Sequence, residues 1–503
     1  MIYAVEITIA ETSATIHTLY FSSGNLVTKS TDTPASTAFD PRIIDAGSIG
    51  IHAYADGKTG GATKLEIGEI VIANIDGEYD YIRTWSADGR AVVIRYGEPG
   101  GAYPSTFTTL FRGTCEAFEL YFDKLIFRLR DASYVLDNPL LTARYGGTNS
   151  LPNGIDGTAD DIKGNVKPKF FGSIFNAEPV LVNTSKLIYQ INNGNFNTVS
   201  AVYVRGNAVT YSGTNRANNS AMQTTAPAAG TYDTCSSEGL IRLGTSPDGL
   251  VTMDVYRGTT AANRTTAQTM SAIASNMGIT AYAADVTAMD TQDSAVIGYY
   301  VNDERTAMQC LDDVGEGLNA FYYFDRSGNF RISWLQDPQG NSPVITFNEY
   351  DIISIEAQPS VDINIPVKQV AMDYYNIETV QSSDLAGAVT VARRAFLSKS
   401  SRKVTQDVGS PAAKYLLAKV LNRKSRYTTE ADASSAAFNL AILFGYIQQI
   451  FEITIPIERF DLDLMECVEL IHPRFGLQTG KNFMLLGYNI NTQQNSVSLT
   501  LWG

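Results

Sequence analysis

"AFELYFDKLIFRLRD", residues 117–131, decides how the rest of the chain is read. Large apolar residues alternate with polar ones on both sides of Asp123-Lys124. Period-two alternation gives a ribbon one buried and one wet face, and a charged dipeptide between two such runs is a hairpin turn. The same alternation fills "KLEIGEIVIANIDGEYDYI", residues 64–82. Two such hairpins predict an antiparallel β region from residue 1 to about 145.

Working outward, a polar connector rich in turn formers runs from about 146 to 166 and contains "GGTNSLPNGIDGTADDIKGN", residues 146–165. Its Asp156, Asp160 and Asp161 lack the spacing of a calcium loop, which makes capping and turn formation their expected work. "AVYVRGNAVTYSG" reads as strand–turn–strand with Gly206-Asn207 at the turn, and residues 215–239 read as a small, polar loop. A helix is predicted after Thr265 as N-cap, with Ala267, Met270, Ala274 and Met277 on one face and Gly278 closing it. A second follows Asn302 or Asp303, with Ala307, Cys310, Leu311 and Val314 facing inward. "AFYYFDRSGNFRISWL" is then a hairpin turned by Asp325-Arg326-Ser327-Gly328.

Ser410 and Pro411 open an expected amphipathic helix running through Tyr415, Leu416, Lys419, Val420 and Arg423. "AAFNLAILFGYI", residues 436–447, is a buried helix or strand lead, too short to cross a bilayer. The chain closes in β pattern. The expected fold class is mainly β with an α+β middle, in several domains. Their expected borders are 1–150 (β), 151–260 (β-rich, with the connector), 261–345 (small, α+β) and 346–503 (β with helices).

A net charge of −14 excludes general adhesion to DNA or to anionic lipid, although an acidic wall lets DNA slide past. Cys115, Cys235, Cys310 and Cys467 are far apart, as are His17, His52 and His472, so neither a zinc cluster nor a redox pair is expected. Free, buried thiols fit better. "MIYAVEITIAETS" has neither the basic start nor the apolar centre of a signal peptide, and no membrane anchor is expected.

Sequences with a chemical look are few. Gly57-Lys58-Thr59 imitates a phosphate loop, but His52 stands where its first glycine belongs. Asp461, Asp463, Glu466 and Glu469 in "FDLDLMECVE" offer paired carboxylates. Asp461 and Asp463 alternate with Leu462 and Leu464, which reads as the wet face of a strand. The electrostatic exception is a basic run: Arg393, Arg394, Lys399, Arg402, Lys403, Lys414, Lys419, Arg423, Lys424 and Arg426. It is either a docking face for an acidic partner or neighbouring copy, or a solvated surface. No catalytic, cofactor-binding or metal-binding residues are assigned.

Three passages resemble a known family. "KPKFFGSIFNAEPVLVNTSKLIYQINNG", residues 167–194, places Lys167, Pro168 and Gly172 ahead of Asn176, Pro179, Val180, Leu181 and Val182, then Tyr189 and Gln190. Phe111-Arg112-Gly113, Leu129-Arg130-Asp131 and Asn138-Pro139-Leu140 form the second passage. Pro473-Arg474-Phe475-Gly476-Leu477 and the final Leu499-Thr500-Leu501-Trp502-Gly503 form the third. Together they resemble the baseplate hub, or central tail hub, of long-tailed siphophages, which is similar in architecture to the hub of contractile-tailed phages.

That resemblance implies two tail-tube-like β-barrel domains flanking smaller mixed domains, in a homotrimer at the tail tip of a virion assembled in the bacterial cytoplasm. It implies a distal tail protein or tail tube above, tip or central fibre proteins below, and a tape measure protein in the bore. DNA would pass through without specific binding. The clustered cysteines and hydrolase motifs that some relatives carry are missing here, so no cofactor or cleavage activity is carried over. Two alternatives stand beside it: a receptor- or carbohydrate-binding tail adhesin, and a cell-surface polysaccharide hydrolase working through Asp461, Asp463 or Glu466.

Overall fold

The opening hairpin forms as its pattern predicts. In the computed structural model, which describes residues 1–54, 63–358, 366–409 and 414–503, Thr108–Leu120 and Lys124–Arg130 pair antiparallel with Leu120 opposite Leu125. Leu125, Phe127 and Leu129 are buried while Arg128 is exposed. The chain is mainly β, 39% strand and 18% helix, multidomain, with its large sheets curled like half barrels. Bulges between Thr109 and Phe111 and between Cys115 and Ala117 add local twist, which is how a long strand bends around a core.

The chain divides into two compact units, each assembled from separated segments. The first takes residues 1–135, 321–365 and 447–503. Its N-terminal sheet has seven strands in the order Ile16–Ser22, Ile2–Ala10, Ala91–Gly97, Thr108–Leu120, Lys124–Arg130, Glu69–Ala73, Ile43–Asp45. Its C-terminal sheet runs Ile345–Phe347, Cys467–Leu470, Lys481–Asn491, Ser496–Trp502, Ile450–Pro456, Ser354–Ala357.

Lys481–Asn491 organises this second sheet. One of its sides pairs with Ser496–Trp502 from Met484 to Asn491. The other is shared: Lys481 to Met484 take Cys467–Leu470, and Gly487 to Asn491 take Ser48–His52 from the other end of the chain. The bulge between Leu485 and Gly487 marks the change of partner. Trp502, in the last strand, is completely buried.

The second unit holds residues 136–320 and 366–446. A nine-stranded sheet runs Val180–Asn183, Ile188–Gln190, Leu240–Leu243, Thr231–Cys235, Asn207–Asn215, Thr198–Val204, Val251–Tyr256, Lys169–Ala177, Gly298–Val301. Helix Thr266–Asn276 lies against Lys169–Ala177 of this sheet, and helices Ala283–Gln292 and Ala307–Gly315 pack on that helix. A three-stranded sheet, Arg402–Asp407, Gln369–Tyr374, Val420–Lys424, is covered by helix Glu430–Phe444. The two units cut across the four consecutive segments 1–150, 151–260, 261–345 and 346–503, because strands far apart in the chain pair with one another.

Local signals hold in several places. Thr265 caps its helix by accepting from the Gln268 N–H, and Met270, Ile273 and Ala274 are buried. Elsewhere the structure corrects the expectation. The next helix is capped by Thr306, not by Asn302 or Asp303, because Thr306 and Gln309 bond reciprocally in a capping box while Asp303 is engaged by Arg305. The turn after Val204 is Arg205-Gly206, both left-handed, rather than Gly206-Asn207. Residues 215–239 are not a plain loop: Asn218 caps a helix, Asn219–Thr224, and Thr231–Cys235 is a buried strand.

The largest revision concerns residues 420–424. They form a strand parallel to Gln369–Tyr374 instead of the end of an amphipathic helix. A waiting sheet edge outweighs a modest helical pattern, since backbone pairing and burial exceed intrinsic propensity. Ser410 and Pro411 lie outside the described residues, as do Gly57, Lys58 and Thr59.

Candidate functional site

Three groups of residues singled out above can be placed. The first is the stretch 167–194. Gly172 has φ +69°, and a Cβ there would stand 2.0 Å from the Ile297 carbonyl oxygen. Opposite it, a Cβ on Gly298 would stand 1.7 Å from the Ser173 carbonyl oxygen. Two backbones meet at a distance only glycine tolerates.

Asn176 adopts φ 50°, a left-handed conformation open to Asn at low cost. Its N–H donates to Asp254 at 2.7 Å and its amide donates to the Thr379 carbonyl at 2.5 Å and to Gln381 at 3.2 Å. Its side-chain oxygen accepts from Thr252 at 2.8 Å. Buried Gln190 accepts from Tyr145 at 2.7 Å. The residues that carry the resemblance therefore hold the nine-stranded sheet together and tie residues 378–381 onto it. Burial pushes the Asp254 carboxyl up, against the N–H of Asn176 and the hydroxyl of Tyr203, which both favour its charged form.

Pro179, Val180, Leu181 and Tyr189 also border a cavity of about 450 Å³ together with Glu178 and Tyr300. Its walls are half apolar, and the Tyr300 hydroxyl is spent on the Glu178 carbonyl at 3.1 Å. No nucleophile with an adjacent base lies among these residues.

The second group is the basic run, and the structure gathers part of it: Arg393 and Arg402 lie over the same Phe396 ring, and Lys403 and Lys424 flank Asp373 across the three-stranded sheet. Arg393 stacks over Tyr203 at 4.2 Å and Arg402 over Phe396 at 3.8 Å. Phe175 and Tyr375 stack at 4.4 Å, and Tyr375 meets Phe396 edge-on at 5.1 Å. Arg402 also donates to the carbonyls of Tyr375 and Phe396, and burial lowers its affinity for the proton. Such stacked guanidinium groups are glue.

Arg394 closes its own loop by donating to the carbonyls of Val389 and Ala386. Arg426 stacks over Tyr299 and pairs with Asp313, and Arg423 donates to Asn319. Lys403 pairs with Asp373 at 3.4 Å. The side chains of Lys399, Lys414, Lys419 and Lys424 are exposed. The run thus divides by residue type: arginine's planar, weakly hydrated head is taken inward against aromatics and carbonyls, while the lysines keep exposed side chains.

The third group is the carboxylates of residues 461–469. Asp461 and Asp463 do not share the wet face of a strand: the strand begins at Cys467. Asp461 is exposed and reaches Arg326 at 3.2 Å. Asp463 is largely buried and meets Arg331 at 2.8 Å, while its N–H donates to Glu466 at 2.8 Å. Burial raises the Asp463 carboxyl and Arg331 opposes that rise. These acids anchor the hairpin of Ala320–Phe324 and Phe330–Trp334 to the loop before Cys467.

All four cysteines are free and buried. Burial lifts the thiols of Cys115 to about 12 and Cys310 to about 11, so neither supplies a thiolate at neutral pH. Among the described residues no three His, Cys, Asp or Glu side chains converge as a metal ion requires. No helix among them is long and apolar enough to cross a membrane. Asp156 binds the Gly146 N–H, Thr148 and Lys167, and Asp161 binds the Thr158 and Ile162 N–H groups, the turn chemistry expected of that connector. Glu378 was not legible as special: burial pushes it up to about 7 even though Arg426 and Arg305 pull the other way.

No family model matches the chain, and no curated protein matches it. Among solved structures it is similar to a tail protein from Neisseria meningitidis MC58, at 8% identity and a TM-score of 0.41, covering 100% of this chain and 96% of that one. It is similar also to the 43 kDa tail protein of prophage MuSo2 from Shewanella oneidensis, at 9% identity and a TM-score of 0.40, over 99% and 96% of the two chains. A chain from the virion of a native gene transfer agent particle shares 13% identity at a TM-score of 0.39, over 74% of this chain and 91% of that one.

Proposed function

We propose that this chain is a structural virion protein of a long non-contractile phage tail, a homotrimeric baseplate hub at the tail tip. Three copies would present six strand-built walls around an axis, joining a sixfold tube to a threefold tip and enclosing the path of the DNA. The observation that carries this is the first unit: the two ends of the chain each build a large curled sheet there, and Ser48–His52 from the N-terminal end completes the C-terminal one. Two such sheets per subunit are what a ring of six walls requires.

The three passages that resemble siphophage hubs support the same reading. A tail tube or distal tail protein above, fibre proteins below and a tape measure protein within are the proposed neighbours. The work is done through interfaces rather than by covalent chemistry, and the net charge of −14 keeps the passing DNA from sticking. Obligate assemblies of this kind bury large areas with apolar centres.

Purification of the full chain, with its mass measured by light scattering and its particles imaged by electron microscopy, tests the proposal. A threefold ring with a bore wide enough for a duplex, and three copies at the tip of intact virions, are expected. Virions that lack the chain at their tip would overturn it. The adhesin alternative predicts saturable sugar binding by the isolated protein, which the hub does not require.

A further inference from the structure

Two clusters of apolar side chains are left in water on opposite kinds of electrostatic ground. In the second unit, Leu416 and Leu417 are 90% and 75% exposed and Tyr446 is 72% exposed. They share one end of the three-stranded sheet, since the Phe444 carbonyl accepts from Val367 and the Lys419 carbonyl accepts from Lys368. The exposed charges there are mostly basic, Lys368 and Lys414 against Asp407. In the first unit, Tyr350 is 95% exposed and Ile353 63% exposed. They lead into Ser354–Ala357, the last strand of the C-terminal sheet, which pairs on one side with Ile450–Pro456. The ground here is acidic, with exposed Glu349 and Glu356, while Asp351 is taken by Arg459 at 2.5 Å.

Neither cluster is explained by folding. Apolar side chains that gather in water, rather than standing singly, mark contact surfaces. Their charges are complementary: lysines frame one, glutamates the other. Every copy carries one of each, so a head-to-tail contact uses both and leaves none over when the ring closes. We propose that the Leu416–Leu417–Tyr446 surface of one copy seats on the Tyr350–Ile353 edge of a second copy, with Lys368 and Lys414 facing Glu349 and Glu356. This rests on the trimeric reading above and assigns its seam.

The test uses the full chain. Leu416→Asp with Leu417→Asp is expected to reduce the solution mass from three chains to one while circular dichroism and thermal unfolding stay as in the wild type. Lys414→Glu is expected to weaken association, and Glu349→Lys in the same chain to restore it. Because an aspartate pair can disturb folding, Leu416→Cys combined with Tyr350→Cys supplies a second readout. Mild oxidation should link copies into ladders of two and three chains, and neither single variant should do so. A trimer that survives the aspartate pair, with no ladder from the cysteine pair, overturns this seam and leaves the trimer standing on another. A wild-type chain that stays monomeric at every concentration overturns the seam, and with it the trimer.

Discussion

Residues 167–194 and residues 393–426 are the two passages that stand out in the sequence, and folding treats them in opposite ways. In the first, the marked residues converge: Gly172, Asn176, Tyr189 and Gln190 are all buried, and each bonds or packs within one sheet. In the second, ten like charges divide by type, the arginines lying on aromatic rings, carbonyl groups and polar partners and the lysines keeping exposed side chains. A pattern of mixed, rare residue types marks positions where geometry is demanding. A run of like charge marks only that those residues were not buried together.

The contrast can be broken by substitution, most severely at Gly172. Gly172→Ala puts a methyl group against the Ile297 carbonyl with φ positive, and the neighbouring strand must move. A loss of about 3–5 kcal/mol in denaturant unfolding is expected. A loss below 1 kcal/mol would mean that the strand crossing is looser than described. Asn176→Ala comes next. It leaves the Thr379 carbonyl and the Thr252 hydroxyl without their partner, and about 2–3 kcal/mol should be lost by the same measurement.

Within the basic run the expected effects are smaller and divide by residue type. Arg402→Ala removes a stacked guanidinium and two carbonyl bonds, for about 1–3 kcal/mol. Lys399→Ala should stay within about 0.5 kcal/mol of the wild type, as exposed sites do. Equal losses at the two positions would dissolve the distinction between glue and solvated charge.

The mildest probe is pH. Glu378 has its folded pKa raised from 4.5 to about 7, so the folded state holds a proton that the unfolded chain releases across that window. Stability from this group is therefore present below about 4.5 and is lost as pH rises towards about 7. Glu378→Gln should flatten the fall in thermal stability between those values, and an unchanged slope would show that Glu378 is solvated.

Much of the local structure was legible. The alternation of residues 117–131 gives a hairpin, Thr265 caps its helix, and the cysteines are buried thiols. These depend on neighbours within a few positions, where side-chain period and capping chemistry decide the outcome. The candidate docking face was less legible, because whether an arginine reaches water depends on which aromatic ring stands beside it. Tyr203 comes from a strand, Tyr375 from the bend that follows another strand, and Phe396 from a helix. Asp463 likewise leaves the wet face imagined for it because Arg331 arrives from another hairpin.

By itself, then, the amino-acid order determined the hairpin of residues 117–131, the cap of the helix after Thr265, and that the cysteines lie buried. Only the tertiary structure decided that residues 420–424 pair as a strand, that Ser48–His52 completes the sheet of the opposite chain end, and that Arg393 and Arg402 lie against aromatic rings. The physical reason is range. Alternation and caps are settled by contacts a few residues apart, whereas edge pairing and the burial of a charge are settled by whichever distant segment supplies the hydrogen bonds and the apolar surface.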